Sequence, residues 1–353
     1  MAIEARTLLQ GAQTAEQIGA EVAGFLDGAR RSLDLALYDV RLPGEVGDRI
    51  AGALRAAAER GVSVRLAYNL DRDDARRKGS LAPPLTEPDL VEALPVPTRA
   101  IPGEPDLMHH KFVVRDGADV WSGSANWTLD SWTLQENVIL LTEGVPPIAR
   151  AYTAAFEQLW STRRVEDSGD VDPDPVEVGS AVARAWFSPG RGPELSQRIA
   201  TAIGRARRRV RIASPVLTAG PILGTLAEMV ADPRVDLAAV VDATQAAHVL
   251  EQWAENPHAH WKIASLRTIL ATGEVSGKRS TPYRPGSARD FMHAKVTVAD
   301  DTVFAGSFNL SHSGERNAEN VLEVRDPALA DRMAAFVDEI RGRYPDRVAL
   351  PGD

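Results

Sequence analysis

The chain has 353 residues, with a hydrophobic fraction of 44%, a charged fraction of 25% and a formal net charge of −9. That length predicts about two domains of ordinary globular composition, each large enough to bury its own core. No apolar run approaches the ~18 residues of a spanning helix, and the absence of cysteine excludes disulfides, thiolate metal ligands and a cysteine nucleophile.

The start, MAIEARTLLQGAQTAEQ, lacks the basic, apolar and small-residue regions of a secretory leader, and residue 2 is alanine rather than a glycine open to myristoylation. A cytoplasmic enzyme is the expectation. The acidic balance weighs against a high-affinity nucleic-acid wrapper, although a locally basic cleft remains compatible with it.

Thr14 and Gln17 form a capping box, and Ile18, Val22, Phe25 and Leu26 follow as an apolar helical stripe. Arg30 and Arg31 lead into a strand over Leu33 to Val40. A helix over residues 45–60 precedes a strand from Val62 to Tyr68. The mixed-charge stretch Arg72 to Lys78 suggests no function. KFVVRD, DVWSGSAN and ENVILL then read as strands, and residues 146–161 as a helix.

The second half repeats this order. Leu195, Ile199, Ala202 and Ile203 reproduce the stripe, Arg207 to Arg209 follow, and Val210 to Leu217 predicts a strand. A helix over 220–231, a strand from Val235 to Val241, then AKVTVAD, TVFAGSFN, ENVLEV and a helix over 327–342 complete the parallel. Alternating helices and strands predict α/β layers. The expected organisation is a domain over 1–164, an exposed acidic, Pro-containing linker over 165–180 and a second domain over 181–353. The two similar α/β domains would pack about a pseudo-two-fold axis.

Two segments carry chemistry. MHHKFVVRDGADVWSGSANWT holds His109, Lys111, Asp116, Ser124 and Asn126, and MHAKVTVADDTVFAGSFNLS holds His293, Lys295, Asp300, Ser307 and Asn309. Ten residues after each Asn comes an acid followed by Asn, at Glu136-Asn137 and Glu319-Asn320. Residues i and i+2 of a strand share a face, so each half projects an imidazole with an ammonium. Facing halves would surround a phosphate. One neutral imidazole can attack phosphorus while the other, protonated, serves the leaving oxygen. Lys111 and Lys295 would neutralise the non-bridging oxygens, Asn126 and Asn309 would donate hydrogen bonds, and Glu136 and Glu319 could orient the imidazoles. The arrangement requires no metal or other cofactor.

These segments resemble the paired His-x-Lys-x4-Asp-x6-Gly-Ser-x-Asn motifs of the phospholipase D superfamily. The first copy matches without gaps, whereas the second has five residues rather than six between Asp300 and Gly306. The resemblance implies two α/β/α sandwich domains with one active site at their interface. It also implies a phosphohistidine mechanism with His109 as nucleophile and His293 as acid, and Glu319 paired with His109 and Glu136 with His293. Asp116 and Asp300 are implied to be structural.

Other residues carry less. His110, beside the nucleophile, should point away as a packing or surface residue. His258 and His260 suit a solvated loop better than a metal pair. His312 could touch substrate. Trp121 and Trp127 suit core packing better than base stacking or an acyl pocket. The stretch Gly273 to Arg289, with Lys278, Arg279, Arg284 and Arg289, reads either as a basic substrate lid or as a solvated loop. Lys278 and Arg279, with Ser124 and Ser307, are the candidate substrate contacts.

Three functions compete. Motif style and the absence of a leader or anchor favour a nuclease acting on DNA or RNA. A soluble phospholipase D or phosphatidyltransferase is the alternative, supported by two motifs in one chain. A silent phosphodiester-binding module is the third. One chain supplies both motifs, so a monomer suffices for a complete site.

Overall fold

The computed structural model describes residues 1–70, 86, 91–282, 284 and 287–348. The stretch Arg72 to Lys78 lies outside these residues. Each half builds one mixed sheet. The first has seven strands in the order Ala2–Leu8, Asn137–Glu143, Asp119–Gly123, Lys111–Arg115, Ser32–Leu37, Ser63–Leu70, Thr98–Pro102. The second repeats it as Ala181–Ser188, Glu319–Arg325, Thr302–Gly306, Val296–Ala299, Arg209–Ala213, Asp236–Asp242, Glu274–Lys278, with Val176–Val178 added at the edge.

The helices form where the apolar stripes stand. Thr14 caps Ala15–Asp27 with the full reciprocal box, and Ile18, Val22, Phe25 and Leu26 are buried. Three apolar clusters result. One lies outside each sheet, and the third lies between the sheets and draws on both halves. The helices Pro146–Thr162 and Pro327–Arg343 contribute Tyr152, Phe156, Met333 and Phe336 to this shared cluster, beside Phe112 and Phe187. Phe187 meets Tyr152 edge-on at 5.1 Å between ring centroids.

Several expectations need correction. The strand expected over 210–217 ends at Ala213, because Pro215 lacks the N–H a continuing ladder needs. The strand expected over 33–40 ends at Leu37, and Val40–Arg41 pairs separately with Trp127–Thr128. Tyr38 and Asp39 fall in the break. The segment 165–180 is only partly an exposed linker. Its acidic residues face solvent, but Val176–Val178 pairs with the next strand, and Val165, Ser168 and Val178 are buried.

The motif aspartates have one clear job. Asp116 and Asp300 adopt left-handed backbone with φ of 57° and 51°, which Asp tolerates better than most residues. The Asp116 carboxylate accepts from the backbone N–H of Arg30, Arg31 and Ser32 at 2.7–3.2 Å. Asp300 does the same for Arg207, Arg208 and Arg209 at 2.9–3.1 Å. Each aspartate thus ties the hairpin carrying its motif to the entry of the central strand.

Candidate active site

The two His-x-Lys segments meet where the halves abut. Each begins just before its strand, and the backbone is fixed there by a bridge across the interface. Met108 bridges Ala318 and Met292 bridges Glu136, both in parallel. His109 N–H donates to Ala318 O at 2.9 Å, and His293 N–H to Glu136 O at 3.2 Å. These bridges decide which side chain stands opposite each imidazole.

The two bridges differ in register by one residue. Met108 bridges the residue before an acid-Asn pair, so His109 faces the acid itself. Its Nδ1 lies 2.8 Å from Glu319 Oε2. Met292 bridges the acid, so His293 faces the residue after it. Its Nδ1 lies 3.1 Å from Asn137 Oδ1. The sheets show the same offset, since Gly123 pairs with Ile139 but Gly306 pairs with Val321. Asn137, not Glu136, therefore occupies the place of Glu319. The Glu136–His293 pair that the family resemblance implied does not form.

The Asn137 amide is held in one orientation. Its Nδ2 donates to Ser131 O at 3.0 Å and to Ser131 Oγ at 3.1 Å, while Oδ1 accepts from Ser124 Oγ at 2.7 Å. Oδ1 can only accept, so neutral His293 carries its proton on Nδ1 and turns Nε2 into the site. Glu319 imposes the same tautomer on His109.

Glu136 has a different partner set. Lys278 Nζ donates to both of its carboxylate oxygens, at 2.9 and 3.2 Å, and Tyr344 Oη donates to Oε1 at 2.7 Å. Lys278 is 3% exposed and lies over the Tyr344 ring. It is a cross-half ion pair rather than part of a substrate lid. Arg279 is exposed and does not reach the cavity wall. Ser124 and Ser307 also leave the expected list of substrate contacts. Both are fully buried, and their hydroxyls accept from the N–H of Val138 and Asn320 at 2.9 and 3.0 Å. Gly123 and Gly306 permit this junction, since a Cβ at either would collide with a backbone carbonyl of the neighbouring strand.

A cavity of about 170 Å³ opens over the motif residues, lined by His109, His293, Asn126 and Asn309. Lys111 and Lys295 lie buried beneath it, each donating to the carbonyl of its own histidine at 2.6 and 2.7 Å. Burial, then the two ammonium groups, hold His109 well below its ordinary pKa. Burial, then Lys295 and Lys111, do the same for His293. Burial also lowers the Lys111 ammonium to about 7, against the pull of Glu319 and Asp39. It raises Glu319 to about 7. The groups are dry and mutually repelling, which suits a site that takes up an anion.

Residues that the sequence left unmarked complete the wall. Tyr38 sits edge-on to His109 at 4.4 Å, and Phe291 edge-on to His293 at 5.2 Å. Gln135, Gln245 and Asp39 also line it. Tyr38 and Asp39 follow the carboxyl end of a parallel strand, where α/β sheets place ligands, and that position was the readable signal.

Remaining candidates fall elsewhere. His110 is buried in the shared core, with Nδ1 3.2 Å from Asn320 Oδ1. His258 and His260 are exposed at the start of the helical segment 257–272. His312 is exposed against Glu315. Trp121 and Trp127 are core residues of the first half. Among the described residues no cluster of three or more His, Asp or Glu side chains could hold a metal.

A family profile described as cardiolipin synthase, PLD-like domain, matches residues 22–160 and again residues 199–341. Mitochondrial cardiolipin hydrolase of Xenopus laevis is 35% identical over 133 residues, which are 38% of this chain and 56% of that protein. Its human counterpart in name is 30% identical over 132 residues, 37% of this chain and 46% of that one. The matched region thus spans about half the length of these relatives. Phosphatidylserine synthase of Haemophilus influenzae Rd KW20 has the same fold, with a TM-score of 0.62 over 96% of this chain and 86% of that chain at 15% identity.

Proposed function

The chain belongs to the phospholipase D superfamily, in the family of cardiolipin synthase PLD-like domains, and on that premise we propose that it is a phosphodiesterase acting on phospholipids through a phosphohistidine intermediate. The observation that carries the reading is that both imidazoles line one cavity with unequal partners, a carboxylate for His109 and an amide for His293.

The inequality assigns roles. Attack by His109 Nε2 on phosphorus leaves a positive ring, which Glu319 stabilises through Nδ1–H. The bond to the leaving oxygen breaks as His293, protonated on Nε2, gives that oxygen its proton. In the second step His293 takes a proton from water, whose oxygen attacks phosphorus and releases His109. An anionic diester lying between Lys111 and Lys295 offsets their repulsion of His293 and raises its proton affinity, so that it arrives protonated when needed. Asn126 and Asn309 stand at the wall to donate to the non-bridging oxygens.

The sequence placed a nuclease first. The relatives at 30–35% identity carry the name cardiolipin hydrolase, and that reverses the order. Their names also include mitochondrial, which supports a mitochondrial setting over the cytoplasmic one expected from the sequence. Among the described residues no helix is long and apolar enough to cross a membrane.

The test is turnover in EDTA on phospholipid vesicles, single- and double-stranded DNA and RNA, with wild type beside His109→Ala and His293→Ala. Release of phosphatidate by wild type, lost in both variants, is the expected result. Cleavage of nucleic acid with intact lipid would restore the nuclease. Loss of activity in EDTA that returns with added metal would overturn the proposed chemistry.

A further inference from the structure

Each motif histidine stands just outside its strand, since the strands begin at Lys111 and Val296. Its backbone is nevertheless held on two sides. The N–H groups of His109 and His293 donate across the interface, to Ala318 O and Glu136 O. The N–H one residue earlier is held from within the same half. Met108 N–H donates to Asn69 Oδ1 and Met292 N–H to Asp242 Oδ2, both at 3.0 Å. All four residues are fully buried.

Asn69 and Asp242 occupy equivalent places. Val64 pairs with Leu33, which pairs with Arg115, the residue before Asp116. Leu237 pairs with Val210, which pairs with Ala299, the residue before Asp300. The same step along the chain from Val64 and from Leu237 reaches Asn69 and Asp242, at the carboxyl ends of the parallel strands Ser63–Leu70 and Asp236–Asp242.

Local structure does not account for the two contacts. Asp242 caps the helix Ala243–Ala254 through Oδ1, which accepts from Gln245 N–H at 2.9 Å and Ser280 Oγ at 2.8 Å, while Oδ2 turns to the motif. Asn69 turns Oδ1 to the motif, and its Nδ2 is buried with no hydrogen-bond partner. An orphaned buried donor costs stability, so a polar side chain kept there points to a task besides packing. Gly103 leaves room for this amide, since a Cβ there would lie 2.8 Å from Asn69 Oδ1. Neither Asn69 nor Asp242 lines the catalytic cavity.

We propose that Asn69 and Asp242 are a pair of positioning residues, Asn69 fixing the reach of His109 toward phosphorus and Asp242 the reach of His293 toward the leaving oxygen. Each acts on its histidine through one peptide unit, and misplacing a reacting atom by about 1 Å costs about 100-fold in rate. The inference rests on the histidine roles given above and holds for any phosphodiester.

Single-turnover cleavage of two short-chain lipids, phosphatidylglycerol and phosphatidyl-p-nitrophenol, tests it. In both, a bond forms from His109 Nε2 to phosphorus as the P–O bond to the leaving arm breaks. Glycerol takes its proton from His293, whereas p-nitrophenolate departs as an anion and needs none. Asn69→Ala should slow both substrates about 10- to 100-fold, and Asp242→Ala should slow phosphatidylglycerol as much but leave phosphatidyl-p-nitrophenol within about twofold of wild type. A general loosening of the fold would instead slow the two substrates equally. A substrate ratio unchanged by Asp242→Ala, or wild-type rates in Asn69→Ala, overturns the inference. Asn69→Leu and Asp242→Leu keep the volume, remove the acceptor and are read in the same way where an alanine variant does not fold. The mirrored pattern keeps both positioning roles and exchanges the parts of the two histidines. If wild type cleaves neither lipid, the phospholipid reading fails by itself. The same variants are then read on a DNA dinucleotide and bis(p-nitrophenyl) phosphate, whose leaving groups differ in the same way. Cleavage of none of the four overturns both readings.

Discussion

At the scale of single residues, the site stores its reactivity in groups held away from their solution behaviour. Lys111, lowered to about 7 by burial, loses its charge as pH rises through that value. In the free enzyme kcat/KM should therefore fall above about pH 7. The substrate anion pulls the lysine pKa upward, so kcat should hold to higher pH. Lys111→Arg should remove this lysine's share of the alkaline fall, leaving the shares of Lys295 and His293, while lowering the plateau, because guanidinium stays charged but cannot reproduce the ammonium position. A pH–rate profile of both proteins checks this. The neighbours Glu136 and Asn137 should behave differently. Asn137→Ala should cut kcat by about 10- to 100-fold, as loss of a partner that orients a reactive histidine does. Asn137→Asp should raise the proton affinity of His293 and move the profile upward. Glu136→Gln should instead cost stability, about 3–5 kcal/mol, because it leaves Lys278 buried without a counter-ion. Paired denaturation and rate measurements separate the two.

At the scale of elements, the aspartate ties make a sharp case. Asp116→Ala abandons three backbone N–H groups at the entry of a central strand and should destabilise by about 1–3 kcal/mol. Asp300→Ala should do the same in the other half, and shifts in denaturant midpoint report both. Burial pushes the Asp116 carboxyl up, but the hydrogen bonds from Ser32, Arg31 and Arg30 outweigh it and leave it below its ordinary value. A depressed carboxylate stabilises above its unfolded pKa, so this contribution should fade only in acid. These elements also show what a sequence reveals. The capping box at Thr14, the helical stripes and the order of motif strands were legible because each depends on residues close in the chain. The strand Ala2–Leu8, at a sheet edge, and the strand Ala181–Ser188, one place in from an edge, were not read, since neither shows a clean alternation. The helices Ala243–Ala254 and His260–Thr272 lie in a stretch that the repeat does not predict. The pairing of Glu319 with His109 was anticipated from the family motif. The matching pair at Glu136 was not realised, because strand register is set by contacts across the interface.

At the scale of the whole molecule, the two halves share one apolar core, with Phe112, Tyr152 and Phe156 from the first half against Phe187, Met333 and Phe336 from the second. Each half alone would expose that face to water. The halves should unfold in one transition by calorimetry, and Phe187→Ala should lower stability by about 3–5 kcal/mol and shift that transition as a unit. A fragment ending at residue 164 should associate or precipitate. The same interface sets the one-residue offset between the two bridges, and that offset has a directional consequence. A diester has two unlike ends, and a perfectly two-fold cleft could not tell them apart. Either end could then face either histidine, and either P–O bond would break. With Glu319 on one side and Asn137 on the other, the cleft becomes a one-way slot. On the proposed roles, the arm facing His293 is the one that departs, and the arm retained on phosphorus lies to the side, in the equatorial plane between the two histidines.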